Sequence, residues 1–192
     1  HMAPQHQSLL ASLLNSTTTM EVLEAENDLE IQPRKIYVAP AGYNVTVQES
    51  RLLLAEAKPD GGPSPNVDIF FAALAEQYEG RSVGIILSGS GTDGTRGLQR
   101  IRAANGITLA QRPETAHQPD MPQSAIKSGC VDRILPPGEM GVEIAAIVHT
   151  GALTAGQPDL AAPPHILDTL ITQTREQTGH DFTNYKEATL QR

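Results

Sequence analysis

The chain has no tryptophan, a single cysteine and few aromatic rings, which make up 4% of its 192 residues. A core with so few rings must be aliphatic, built from Ala, Val, Ile and Leu. Cys130 stands alone, so an internal disulfide is excluded, and a reduced compartment fits. No apolar run approaches the roughly 20 residues that span a bilayer, so no membrane insertion is expected. The first residues show no basic segment followed by an apolar one, so no signal peptide is expected and the chain reads as cytoplasmic. Cations are also short: 14 Lys and Arg stand against 22 Asp and Glu, a formal net charge of -8. That balance argues against a nucleic-acid partner, which needs clustered basic residues. Glycine and proline are frequent but aperiodic, which removes collagen-like and repeat readings.

What is present is a chain 39% apolar and long enough for one domain with its own core. Apolar spacing predicts a short amphipathic helix near residues 7–14, with Pro4 before it, and a short strand near 20–25. Lys35-Ile36-Tyr37-Val38 reads as a strand ended by Pro40. Residues 44–48 and 51–55 read as a hairpin closed near Glu49 and Ser50. A Pro- and Gly-rich loop at 58–65 precedes helical spacing over 67–78, with Asn66 as its N-cap. Ser82-Val83-Gly84-Ile85-Ile86-Leu87 is nearly all apolar, as strands buried on both faces of a parallel sheet are. Helices are predicted at 95–104, 121–128 and 138–149, strands at 107–110 and 131–135. The alternation predicts an α/β fold with a doubly wound, mostly parallel sheet flanked by helices. Residues 151–164, rich in Ala, Gly and Pro, read as a linker, and 165–192 as a short helical tail.

The strongest local signal is Leu87-Ser88-Gly89-Ser90-Gly91-Thr92-Asp93-Gly94, directly after the buried strand. Its glycines permit left-handed backbone. The carboxyl end of a central strand is where open α/β sheets place their sites. Such a turn can aim N–H groups at an oxyanion, and its carboxylate can orient a histidine. It can equally be a plain strand-to-helix turn with Asp93 as a helix cap, and pattern alone leaves both open. Ser88 and Ser90 are weak nucleophile candidates, because the run is not a G-x-S-x-G elbow. No pair among the six histidines has the spacing of helical metal ligands, and the one cysteine does not complete a set, so no metal is expected. Cys130 and the pair Phe70 and Phe71 read as core.

Several of these pieces, in this order, resemble the chemotaxis protein-glutamate methylesterase (CheB-type) family. They are Tyr37-Val38-Ala39-Pro40, Val67-Asp68-Ile69-Phe70-Phe71, the run from Val83 to Gly94, Ala110-Gln111, Met121-Pro122-Gln123-Ser124-Ala125-Ile126 and Gly129-Cys130-Val131-Asp132. The resemblance covers residues 1–150 and implies a catalytic domain. It would hydrolyse glutamyl methyl esters on methyl-accepting chemoreceptors, and deamidate glutamines, through a Ser–His–Asp triad. It implies that Asp93 is the triad carboxylate, that the turn at Ser90 and Gly91 lends backbone N–H to the oxyanion, and that His1 is the catalytic histidine. It implies no metal or organic cofactor. The family's nucleophilic Ser lies upstream of its histidine, so here it is expected to be absent from the chain, and the chain alone is expected to be inactive. Thr178-Gly179-His180-Asp181-Phe182-Thr183-Asn184-Tyr185-Lys186 and Thr189-Leu190-Gln191-Arg192 resemble the start of the CheR-type methyltransferase family. The whole then reads as a window on a methylesterase–methyltransferase fusion. Two other readings stay open: a non-catalytic receptor-docking or regulatory module of such a fusion, and an anion- or nucleotide-binding α/β domain.

Overall fold

A computed structural model describes residues 10–58 and 64–150. The order of elements is α1 (Leu10–Asn15), β1 (Glu21–Glu24), β2 (Leu29–Glu30), β3 (Lys35–Val38), β4 (Tyr43–Gln48), β5 (Arg51–Glu56) and α2 (Val67–Tyr78). Then follow β6 (Val83–Ile86), α3 (Thr95–Ala103), β7 (Ile107–Gln111), α4 (Asp120–Lys127), β8 (Arg133–Leu135) and α5 (Pro137–His149). Short 3-10 turns at Glu79–Arg81 and Pro113–Thr115 complete it. The predicted tail and linker lie outside the described residues, as does the start of the first predicted helix.

The carboxyl-terminal half is the α/β layer that the sequence predicts. β6, β7 and β8 form a parallel sheet in that order, with α3 and α4 as the crossovers. On one face Phe71, Ile86, Leu98, Ile101, Met121 and Ala125 make the main core. On the other, Leu109 packs with Met140 and Ile147 of α5. Covered on both faces, β7 is buried at Thr108, Leu109, Ala110 and Gln111. The polar Thr108 is satisfied there: its amide donates to Asp132 Oδ2 at 2.9 Å, and the Asp132 amide donates to its hydroxyl at 3.1 Å.

The amino-terminal half departs from one continuous sheet. β1 and β3 pair in parallel, with Lys35 Nζ 3.0 Å from Glu21 across the strands. β2, β5 and β4 form a separate antiparallel sheet. The β4–β5 hairpin turns at Glu49 and Ser50, both at positive φ (48° and 62°), the sign of a turn whose twist matches its strands. The Glu49 amide is held by Gln77 Oε1 of α2 at 2.8 Å. β4 buries Val45 and Val47, and β5 buries Leu52. Val45 and Leu52 cluster with Ala25 against Phe70 of α2, so α2 serves both halves.

α2 and α3 approach closely because Gly97 has no side chain: a Cβ there would lie 2.5 Å from Phe71 Cβ. α4 begins at Asp120, one residue before its predicted start, and Pro122 lies in its first turn, where a missing N–H costs nothing. β2 has no sequence signal; its two residues are a strand through their pairing with β5.

Candidate functional site at the end of β6

The chain leaves β6 at Ile86 and does not become helical until Thr95. The intervening turn is braced by the segment after β7. The Ser88 amide donates to Gln111 Oε1 at 2.8 Å, and the Gln118 amide donates to Ser88 Oγ at 3.0 Å. The Gly89 amide donates to the Gln118 carbonyl at 2.9 Å, and the Met121 amide returns to the Gly89 carbonyl at 2.9 Å. Gln111, itself buried, donates from Nε2 to the Thr115 carbonyl at 2.9 Å. Turn and following loop are therefore one hydrogen-bonded body.

Asp93 closes that turn and is only 8% exposed. Its carboxylate accepts the amides of Val67 (2.8 Å), Asp68 (3.1 Å) and its neighbour Gly94 (3.0 Å). Val67 and Asp68 open α2, so Asp93 takes two of the amides that a helix N-terminus leaves without partners, and the positive end of α2 favours a carboxylate there. Asn66 supplies the remaining cap, accepting the Ile69 amide at 2.9 Å, as its sequence position predicts. Asp93 is thus a helix cap, but for α2 rather than for the helix that follows it. α3 takes Gly94 as its N-cap residue, in the left-handed region at φ 87°, with a Cβ there clashing with Ile86. Asp68 Oδ1 accepts the Gly97 amide of α3 at 2.7 Å.

Above Asp93 lies a cavity of about 640 Å³ whose wall includes Asn66, Ser90, Thr92, Arg96 and Gln99. Ser90 and Gly91 are exposed on it, Gly91 at φ 90°. Among the described residues the N–H groups of Ser90 and Gly91 donate to no protein acceptor. The structure thus brings Asp93, Ser90 and Gly91 to one cavity. His1 lies outside the described residues. His117 is exposed, and His149 sits at the end of α5 with Nδ1 2.6 Å from the Ala145 carbonyl. Among the described residues no three His, Cys, Asp or Glu side chains group as metal ligands. Sequence reasoning assigned no role to Gln111 or Asp68, although both fall in the motifs quoted for the family; their partners are distant in the chain.

Residues 1–144 match the protein family described as CheB methylesterase. The chain belongs to that family. Among its relatives, the protein-glutamate methylesterase/protein-glutamine glutaminase of Archaeoglobus fulgidus is 34% identical over 153 residues, covering 78% of this chain and 44% of that protein. The protein-glutamate methylesterase FrzG of Myxococcus xanthus is 34% identical over 145 residues, 75% of this chain and 43% of its own. The chain therefore spans under half the length of these curated relatives. The crystal structure of the Thermotoga maritima CheB methylesterase catalytic domain superposes with a TM-score of 0.71 at 30% identity, over 77% of this chain and 80% of that one. The α/β fold of this CheB methylesterase family member is thus shared with that catalytic domain. No helix among its described residues is long and apolar enough to cross a membrane.

Proposed function

We propose that residues 1–150 act as a protein-glutamate methylesterase domain, hydrolysing glutamyl methyl esters and deamidating glutamines on methyl-accepting chemoreceptors. The observation that carries this reading is the buried Asp93, fixed by backbone amides at the carboxyl end of a parallel strand and opening on a polar cavity beside Ser90 and Gly91. In the proposed mechanism a serine from a segment outside these 192 residues attacks the ester carbonyl. The His1 imidazole takes the serine proton and then passes it to the departing methanol. Asp93 orients His1. A carboxylate offers about four acceptor positions, so three backbone amides are compatible with an imidazole donor as well. The N–H groups at Ser90 and Gly91 stabilise the developing oxyanion. Water, deprotonated by His1, then releases the glutamate. Residues 151–164 serve as a linker, and 165–192 begin a CheR-type methyltransferase domain in the same polypeptide; both lie outside the described residues.

The test is methanol release from methylated receptor by the full-length gene product. Wild type should turn over, and Asp93→Asn should lose about 10³- to 10⁴-fold in kcat, the scale seen when a triad carboxylate is neutralised. A full-length wild type that releases no methanol would replace this reading with a non-catalytic receptor-docking or regulatory module.

A further inference from the structure

α3 carries three arginines in nine residues and no acidic residue, in a chain with 14 Lys and Arg in all and a net charge of -8. They are used differently. Arg102 is engaged by Asp132, 3.5 Å away, and by the Gly129 carbonyl. Arg96 and Arg100 are exposed, and among the described residues neither has an ion-pair partner. Four apart on a helix, they lie on one face at about 6 Å between Cβ atoms. The α3 sequence itself does not account for Arg96: a cation in the first turn opposes the helix dipole, and the acidic group at that end is the Asp68 carboxylate of α2, which is bonded to the Gly97 amide. What Arg96 does do is line the cavity over Asp93, together with Gln99 from the next turn.

A basic stripe thus begins at the wall of the catalytic cavity and leads away from it along α3. On a protein of net negative charge, with Asp68 and Asp93 also lining this cavity, an acidic polypeptide meets overall repulsion, and the two cations along α3, Arg96 at the cavity wall and Arg100 beyond it, supply the local attraction. Resting on the methylesterase reading, we propose that Arg96 and Arg100 form the docking surface for the substrate polypeptide. They would bind free carboxylates that flank the esterified glutamate by about one helical turn, Arg96 taking the nearer one. They are specificity residues and take no part in bond breaking.

The experiment is binding of a fluorescein-labelled helical peptide to the 192-residue chain, followed by anisotropy at low and high salt. The peptide carries Gln at the ester position with Glu four residues to either side; its twin replaces those Glu with Gln. Wild type should bind the Glu peptide at least tenfold more tightly than the twin at low salt, and the preference should fade as salt rises. Arg96→Glu/Arg100→Glu should lose the preference, Arg96→Gln/Arg100→Gln should weaken it partly, and Arg81→Glu, away from the cavity, should leave it intact. Equal binding of both peptides by wild type, no binding of either, or an unchanged preference in the double reversal would overturn the proposal. Methanol release by the full-length protein separates the two readings. Turnover of a small uncharged glutamyl methyl ester, with equal binding of both peptides, removes the docking surface and keeps the esterase. Binding that follows the arginines without turnover does the reverse.

Discussion

The carboxylate of Asp93 accepts the amide of Asp68 at 3.1 Å while the carboxylate of Asp68 accepts the amide of Gly97 at 2.7 Å, so Asp93, two residues before α3, caps α2, and Asp68, in the first turn of α2, caps α3. The two caps close a loop between α2 and α3 that fixes where the Asp93 carboxylate points. Its stability and its chemistry are therefore separable by substitution. Asp68→Ala should cost about 1 kcal/mol, the value of a lost N-terminal cap. Asp93→Ala, which strands buried amides, should cost about 2–3 kcal/mol. Asp93→Asn keeps one oxygen for the α2 amides and should fall between wild type and Asp93→Ala. Urea unfolding with unchanged m-values measures all three. A destabilisation by Asp93→Asn as large as that by Asp93→Ala would contradict the bonding described.

Gln111 should matter for turnover out of proportion to its distance from the ester. It holds the Ser88 amide with one end of its side chain and the Thr115 carbonyl with the other. Gln111→Ala frees the turn that presents Ser90 and Gly91. On the proposed methylesterase reading, the full-length gene product should show about a tenfold fall in kcat with little change in KM, because misplacement of a group that acts on the reacting atoms is felt in the transition state. A rise in KM alone would argue against a positioning role.

Gly97→Ala should overpack the α2–α3 crossing and cost about 1–3 kcal/mol. The atom in the way is Phe71 Cβ, which any residue but glycine retains. Trimming the ring by Phe71→Ala should therefore fail to rescue Gly97→Ala. A double-mutant cycle in thermal or urea unfolding checks this, and recovery of stability in the double variant would show that the ring, not the backbone spacing, is the obstacle.

The hairpin offers a change in the opposite direction. Glu49 and Ser50 both occupy positive φ, which side chains disfavour. Replacing them with Asn and Gly, in that order, should stabilise the chain by about 0.5–1 kcal/mol, the relief at positive φ exceeding the extra freedom that glycine gives the unfolded chain. An unchanged or lower midpoint in urea would show that Glu49, tied by its amide to Gln77, is held without strain.

Local rules reached much of this fold. The helix at Val67–Tyr78 and its Asn66 cap follow from apolar spacing and a short polar side chain at the right place. The β6–turn–α3 unit follows from a continuous apolar run and its glycines. The hairpin was legible by alternation even though its turn lacks the usual Asn-Gly. What the sequence did not disclose depends on partners far along the chain. β2 is a strand only because β5 lies beside it, and the separation of β1 and β3 from the β6–β8 sheet has no local signature. Asp93 read locally as a possible cap for α3; besides the amide of its neighbour Gly94, it takes two amides of α2 from 25 and 26 residues earlier. Gln111, one residue beyond the predicted strand, proves to be the anchor of another strand's turn.

That anchor has a bearing on how the domain can be altered. The turn after β6 takes its shape from bonds to residues 111–121, so its sequence is not a self-contained cassette. A chimaera that imports a relative's Leu87–Gly94 run alone keeps the backbone bonds but puts at risk the two that need the Ser88 hydroxyl and the Gln111 side chain, whereas one that imports it with the β7-to-α4 connection would move a complete unit. The two loops form one structural unit, and paired substitutions at Ser88 and across the loop from Gln111 to Met121 are expected to be tolerated better than changes in one loop alone.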